Sequence, residues 1–337
     1  MRIMGVDPKR LRDLAKIIEL GSFTRAAEAL RVSQPALSNS IHVLEHNLGV
    51  QLLTRDKRGA TGTEFGEVLA VYARALESLL NRADEDIQLK KMGVEGTLTV
   101  GVTPIAATEI VPEVVSRLLR QTPRVLITVI EEVDDQLMSD LKIGKLDLVV
   151  GPVGVEPRST TIHEEALVRD PFAVIMRPGH PLANSKVLKP SVLDQAAWVM
   201  PTNGTSFRRQ IEGVFSLIGV SWPAHCVFTN SATAVKGIVS RSDYLAIMSR
   251  HLATVEIESG RLVHRPVERL SDMMTLGVKR LSEAPISPLI RRFSEMLRAV
   301  AGESYWTQQT DLLPSLKSAP PTKTSRPLSA GSKARGR

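Results

Sequence analysis

Apolar residues recur at steps of three and four from the start of the chain. Leu11, Leu14, Ala15 and Ile18 share one face of a predicted helix that Asp7 caps, Pro8 opens and Gly21 ends. A second short helix over 22–30 offers Phe23, Ala26, Ala27 and Leu30 for close packing. Ser33 caps a third, with Pro35 tolerated in its first turn, Val32 placed to staple against Leu37, and Leu37, Ile41 and Leu44 facing inward to about Glu45. Residues 51–63 then read as two short strands turning near Arg58-Gly59. From Thr63, a good N-cap, to about Lys91 there is no proline and one early glycine, Gly66. There Phe65, Leu69, Tyr72, Leu76, Leu79 and Ala83 alternate steps of four and three, and Ile87 continues the seam with a small drift. Such a helix is roughly 42 Å long, and its single apolar stripe needs a partner, a second copy or the rest of its own chain.

Beyond a Gly93-Val-Glu-Gly hinge the pattern changes to strands alternating with helices. Strands are expected at 97–103, 125–130 and 146–150, with helices from Pro104 to about Gln121 and over 134–142. A second unit follows, with strands at 172–176, 198–200, 226–228 and 244–248 and helices over 207–217 and from Ser231. A strand at 273–278 returns to the first unit, closed by an amphipathic helix over 288–300. The alternation predicts a parallel, doubly wound sheet in two subdomains. The expected organisation is therefore a head at 1–63, a linker helix at 64–92 and a body at 93–302. Within the body, subdomain I takes about 93–165 and 268–302, and subdomain II about 166–267. A Pro/Ser/Lys-rich tail at 303–337 is expected to be disordered and basic.

Composition narrows the class. The chain has 337 residues, 43% hydrophobic and 23% charged, as expected of a soluble protein of two or three cored domains. No apolar run is long enough to span a membrane, and the first residues lack the pattern of a secretory signal, so a cytoplasmic protein is expected. A single cysteine, Cys226, excludes an internal disulfide and a cysteine-built zinc site, and its apolar strand context suggests a buried small hydrophobe. The net charge of +7 is uneven: residues 1–63 hold ten Lys/Arg against six Asp/Glu, and 303–337 hold six against two. A basic head suits a polyanion, although solvated helices carry such charge too. The motifs of serine hydrolases, zinc proteases and nucleotide-binding loops are absent, so no enzyme chemistry and no cofactor is expected. His42 and His46 share a helix face but lack a third ligand.

Two short helices joined by a tight turn make a helix-turn-helix. Ser33, Gln34, Ser38, Asn39 and His42 project from its second helix with donors and acceptors for base edges and phosphates, with Thr24 and Pro35 on the same side. Arg55, Lys57 and Arg58 on the strand pair would meet phosphates or a minor groove. Geometry alone equally accommodates a small three-helix bundle whose polar face is merely solvated. However, the segment SFTRAAEALRVSQPALSNSIHVLEHNLGVQLLTRDKRG resembles the winged helix-turn-helix of LysR-type transcriptional regulators, and the match runs over residues 11–66, through Thr63-Glu-Phe-Gly66. Asn39-Ser40 departs from the basic or amide pair of many members. Asn39 cannot fork onto guanine as Arg would, but it can pair bidentately with adenine.

The resemblance implies a bacterial regulator of mixed α and α/β class: a winged helix-turn-helix, a long linker helix, and a two-subdomain, doubly wound α/β effector domain similar to periplasmic solute-binding proteins. Pro178-Gly-His-Pro-Leu182 is a recurrent phrase of that body. It implies a homodimer through Phe65, Leu69, Tyr72, Leu76 and Leu79, assembling to a homotetramer, with recognition helices about 34 Å apart. It also implies double-stranded promoter DNA, RNA polymerase and a small-molecule effector, often a carboxylate, as partners. Sheets of this kind bind ligands beyond their strand C-termini. The candidates there are Thr103, Pro104, Val133, Gly151, Thr202, Asn203, Asn230, Ser231 and Met248, although each polar one also suits a helix cap or turn. Glu132 and Asp134 would place a negative wall at the cleft edge. A ligand-independent DNA binder, a solute-binding protein with a helical head and an enzyme built on the body are the competing readings.

Overall fold

In the computed structural model the protein is described at residues 6–56, 59–155, 159–268, 270 and 273–303. The head begins with α1 (Pro8–Leu20), where the Asp7 carboxylate accepts from Lys9 N at 2.9 Å. Ser22 caps α2 (Phe23–Leu30) and Ser33 caps α3 (Gln34–Leu48). Between these helices Arg31 takes a left-handed conformation (φ 56°), which makes the sharp turn. Leu14, Ile17, Phe23, Ala26, Leu37, Ile41 and Leu44 form the head's core. Ile17, not Ile18, is fully buried, and Val32 keeps 38% exposure, so it covers Leu37 only in part. α3 outruns the expected Glu45 because nothing breaks it before Gly49.

The strands β1 (Leu53–Asp56) and β2 (Gly59–Gly62) pair antiparallel as a wing. Thr63 then donates to Gln51 O (2.8 Å) and accepts from Gly66 N (3.2 Å), capping α4 (Glu64–Lys91) over the expected span. One face of α4 lies on α1, with Ala70 and Ala73 buried and Leu69 packed against the head.

The body contains β3 (Gly96–Val102), α5 (Pro104–Thr108), α6 (Ile110–Gln121), β4 (Val125–Glu131), α7 (Asp134–Lys142), β5 (Leu148–Pro152) and the long β6 (Ile162–Met176). It continues through α8 (Pro190–Leu193), β7 (Ala197–Met200), α9 (Ser206–Ile218), β8 (Cys226–Phe228), α10 (Ala232–Val239) and β9 (Tyr244–Ser249). A 3-10 turn (His251–Ala253), α11 (Thr254–Glu258), β10 (Val263–Arg265), β11 (Met273–Leu281) and α12 (Pro288–Gly302) complete it. The stretch after Pro104 is two helices rather than one, because Glu109 (φ −145°, ψ −57°) leaves helical geometry.

The strands run in the order β4-β3-β5-β11-β6-β9-β7-β8, with β10 paired to β6. β4, β3 and β5 are parallel, as are β9, β7 and β8, whereas β6 and β11 pair antiparallel with each other and with their flanking strands. The α/β sheet is therefore mixed rather than wholly parallel. The chain leaves the first lobe along β6 and returns along β11 in the opposite sense, so those two strands connect the lobes. A shared apolar core runs beneath both lobes, including Val100, Ile110 and Phe293 on one side and Trp198, Phe215 and Leu245 on the other. In the Pro178–Leu182 turn, His180 Nδ1 accepts from Leu182 N at 3.1 Å, which explains the histidine there. Cys226 is half-buried, its Sγ 3.4 Å from Pro223 O, and burial raises the thiol's pKa.

Candidate nucleic-acid interface and effector cleft

The head presents one polar edge. Thr24, Ser33, Gln34, Pro35, Asn39 and His42 are exposed and Ser38 is half-buried. Ser40 turns inward, its hydroxyl donating to the buried Asp13 carboxylate at 2.5 Å, so the helix directs its neighbour Asn39 outward. The wing is pinned to this scaffold at two points. Glu45 Oε1 accepts from Leu52 N (2.8 Å) and Leu53 N (3.3 Å), and Ala60 N donates to Gly21 O (3.0 Å). Gly59 (φ +137°) makes the second contact feasible, since a Cβ there would sit 2.3 Å from Gly21 O. Arg55 lies on β1 opposite Ala60, while Lys57 and Arg58 fall outside the described residues.

On the linker helix the structure separates the expected seam. Phe65 (49% exposed), Tyr72 (63%) and Leu79 (64%) lie open, together with Val68 and Leu80, which the heptad count missed. Leu76 is half-buried, and Leu69 is taken up against the head. Farther along, Arg82 donates to Asp147 Oδ1 (2.5 Å), and Asp147 Oδ2 accepts from Thr99 N (2.8 Å). That chain ties the linker helix to the first lobe.

Between the lobes lies a cleft of about 920 Å³ including its mouth. Thr103, Pro104, Val133, Asn230 and Met248 line it, as expected. Gly151, Thr202, Asn203 and Ser231 do not. Gly151 makes room for Thr103, whose Cγ2 would lie 2.9 Å from a Cβ at that position. Thr202 is spent on Asn230 Oδ1, to which its N–H (3.0 Å) and hydroxyl (2.6 Å) donate. Asn203 is exposed, and Ser231 caps α10 by accepting from Ala234 N (3.2 Å). Sequence reasoning missed Ser206, Phe207, Gln210 and Met274, which also line the cleft and carry no strand-end signal. The Thr103 hydroxyl is buried without a hydrogen-bond partner.

Asp134 also lines the cleft, but not as a bare negative wall: Lys279 Nζ meets its carboxylate at 2.8 and 2.9 Å, and both side chains are buried. At the lobe junction a second polar cluster closes the floor. Asp170 on β6, fully buried, accepts from the Ser249 hydroxyl and lies 2.7 Å from His251 Nδ1. Nearby, burial raises the pKa of Glu109 above the ordinary carboxylate value, against the pull of His251 and with a contribution from Glu258. The aspartate stands between serine and histidine, so the hydroxyl meets the carboxylate rather than the imidazole, and the order is not that of a serine–histidine–aspartate nucleophile relay. Among the described residues no acid, histidine and cysteine cluster can hold a metal, and no helix is long and apolar enough to cross a membrane.

Comparison with known proteins covers nearly the whole described chain. Residues 8–67 match the family described as "Bacterial regulatory helix-turn-helix protein, lysR family", and residues 91–302 match "LysR substrate binding domain". The chain is 29% identical over 296 residues to the transcriptional regulator GalR of Pseudomonas putida, covering 88% of this chain and 74% of that one. It is 28% identical over 302 residues to the RuBisCO operon transcriptional regulator of Allochromatium vinosum, covering 90% and 99%. Among solved structures, the LysR family regulator CbnR superposes with a TM-score of 0.61 at 20% identity, covering 88% of this chain and 100% of that one. A full-length OxyR variant of Pseudomonas aeruginosa gives 0.58 at 22%, covering 87% and 95%.

Proposed function

Because the chain belongs to the LysR family of transcriptional regulators, and is thus a DNA-binding regulator with an effector-binding domain rather than an enzyme, we propose how its own residues divide that work. Residues 1–63 read DNA. α3 enters a major groove with Gln34, Asn39 and His42 toward base edges, while Ser33, Ser38, Thr24 and the wing's Arg55, Lys57 and Arg58 serve the backbone. Residues 64–92 pair two copies through the open stripe of Phe65, Tyr72 and Leu79, giving a homodimer that assembles to a tetramer. The body at 93–302, with subdomains at 93–165 with 268–302 and at 166–267, binds a small molecule in the cleft beside Thr103, Val133, Asn230 and Met248. The protein works in the cytoplasm, where promoter DNA and RNA polymerase are.

A ligand that closes the lobes about β6 and β11 moves the first lobe, and the Arg82–Asp147 contact passes that movement to the linker helix and so to the spacing of the two heads. The observation that carries the DNA reading is the exposed Gln34–Asn39–His42 edge on a helix whose opposite face is fully packed. The test is fluorescence anisotropy with duplex from the region upstream of the protein's own gene, over a salt series. Wild type should bind with a steep salt dependence. Arg55→Ala should weaken binding to every duplex and flatten the slope, and Asn39→Ala should change sequence preference more than general affinity. Affinity no greater than that of a neutral control protein at low salt would sink the reading.

A further inference from the structure

The charge of the cleft is set by the chain itself. α7 opens with two adjacent acids on the first lobe. Asp134 turns into the wall, where Lys279 neutralises it. Asp135 turns across to the second lobe. Its Oδ2 accepts from Ser206 N at 2.8 Å, at the start of the 13-residue α9, and its Oδ1 from Arg209 at 3.3 Å. A helix start is where an incoming anion would gain most, and here the protein's own carboxylate already fills it. The described walls of the cleft present no Lys, Arg or His side chain. They are mainly apolar, with Pro104, Val133, Phe207 and Met248 among them, and Thr103, only 6% exposed, carries a buried hydroxyl without a hydrogen-bond partner.

We propose that the effector is an uncharged molecule, an apolar body bearing one hydrogen-bonding group that meets Thr103, and that Asp135 is the residue that turns carboxylates away. This rests on the cleft being the effector site. A ligand carboxylate would have to lose its water and displace Asp135 from the start of α9, and the described lining of the cleft offers it no cation in exchange. An amide or alcohol of the same shape carries no such cost and satisfies the orphan hydroxyl.

The experiment uses the full chain and matched pairs: isobutyramide and isobutyrate, cyclohexanecarboxamide and cyclohexanecarboxylate, phenylacetamide and phenylacetate. Binding is read by thermal shift and by tryptophan fluorescence titration. At least one amide should bind, with a preference over its acid of at least about tenfold. Thr103→Val should weaken that amide, and Asp135→Ala, by uncovering the α9 N-terminus, should narrow or reverse the preference. Acids that bind wild type as well as amides do, an unchanged preference in Asp135→Ala, or no binding by any amide would overturn the proposal. Ala232→Trp, which fills the cleft from the first turn of α10, separates the two levels: amide binding that survives it refutes the cleft as the site, whereas binding lost with it but favouring acids refutes only the ligand class.

Discussion

Replacing Lys279 by Met should destabilise the body by about 3–5 kcal/mol, far more than loss of a surface charge. Lys279 Nζ lies 2.8 and 2.9 Å from the two oxygens of Asp134, with side-chain exposures of 3% and 6%. In a site that dry the pair's attraction offsets a large desolvation penalty, so removing the ammonium takes from the buried Asp134 carboxylate the cation that meets both its oxygens. Exposed pairs in this protein, such as Arg12–Glu77 at 3.7 Å with exposures of 62% and 44%, have no such leverage and should give less than about 1 kcal/mol. The assay is urea unfolding followed by fluorescence of the fully buried Trp198. The control is the double variant Asp134→Asn with Lys279→Met, which removes both charges and should return to within about 1 kcal/mol of wild type. If the single variant costs less than about 1 kcal/mol, or the double variant is no better than the single, the pair is not a desolvated ion pair and the account of the cleft's charge fails.

Three further outcomes follow from the same geometry. Gly59→Ala puts a Cβ 2.3 Å from Gly21 O at φ +137°, so it should cost on the order of 2 kcal/mol or more and lower affinity for all duplexes; thermal unfolding and anisotropy read both, and an unchanged wing would show in both. Tyr72→Asp combined with Leu79→Asp places charges on side chains 63% and 64% exposed in the single chain, so sedimentation should show monomers although the fold is kept; persistent dimers would place the interface elsewhere. Burial, with Arg250 and Arg265 nearby, pulls His264 from 6.5 down to about 4. The unfolded chain therefore takes the proton first, and stability present above about pH 6.5 drains away as pH falls toward 4, by about 1 kcal/mol at pH 5 after a discount for partial exposure. His264→Gln should flatten that limb of the urea-midpoint profile, and an unchanged slope would acquit the residue.

What the sequence made legible follows from how local each cause is. The linker helix starts and ends as expected because Thr63 is a cap and no breaker intervenes before Met92. Five strand-end candidates reach the cleft because the C-terminal edge of a sheet is fixed by strand order alone. The first ten residues of β6 were illegible. Ile162–Pro171 carries Glu164, Glu165, Arg169, Asp170 and a proline, with no alternation, and becomes a strand only because β11, more than a hundred residues later, pairs with it from Ile162 to Pro171. The mixed character of the sheet was missed for that reason, although the return of the chain to the first lobe at 273–278 was expected.

Asp134 and Asp135 show why site chemistry is harder to read than fold. Adjacent positions on a helix point about 100° apart, so two acids identical in sequence context face different lobes: one toward Lys279 on β11, the other toward the start of α9. Counted in the sequence they make one negative patch that would repel an anion by charge alone. Placed in the fold, one is neutralised and the other holds the second lobe's helix start. A carboxylate effector would thus have to displace Asp135 from Ser206 and Arg209, whereas an uncharged one could close the lobes with that cross-cleft link intact, so closure and discrimination would depend on the same residue.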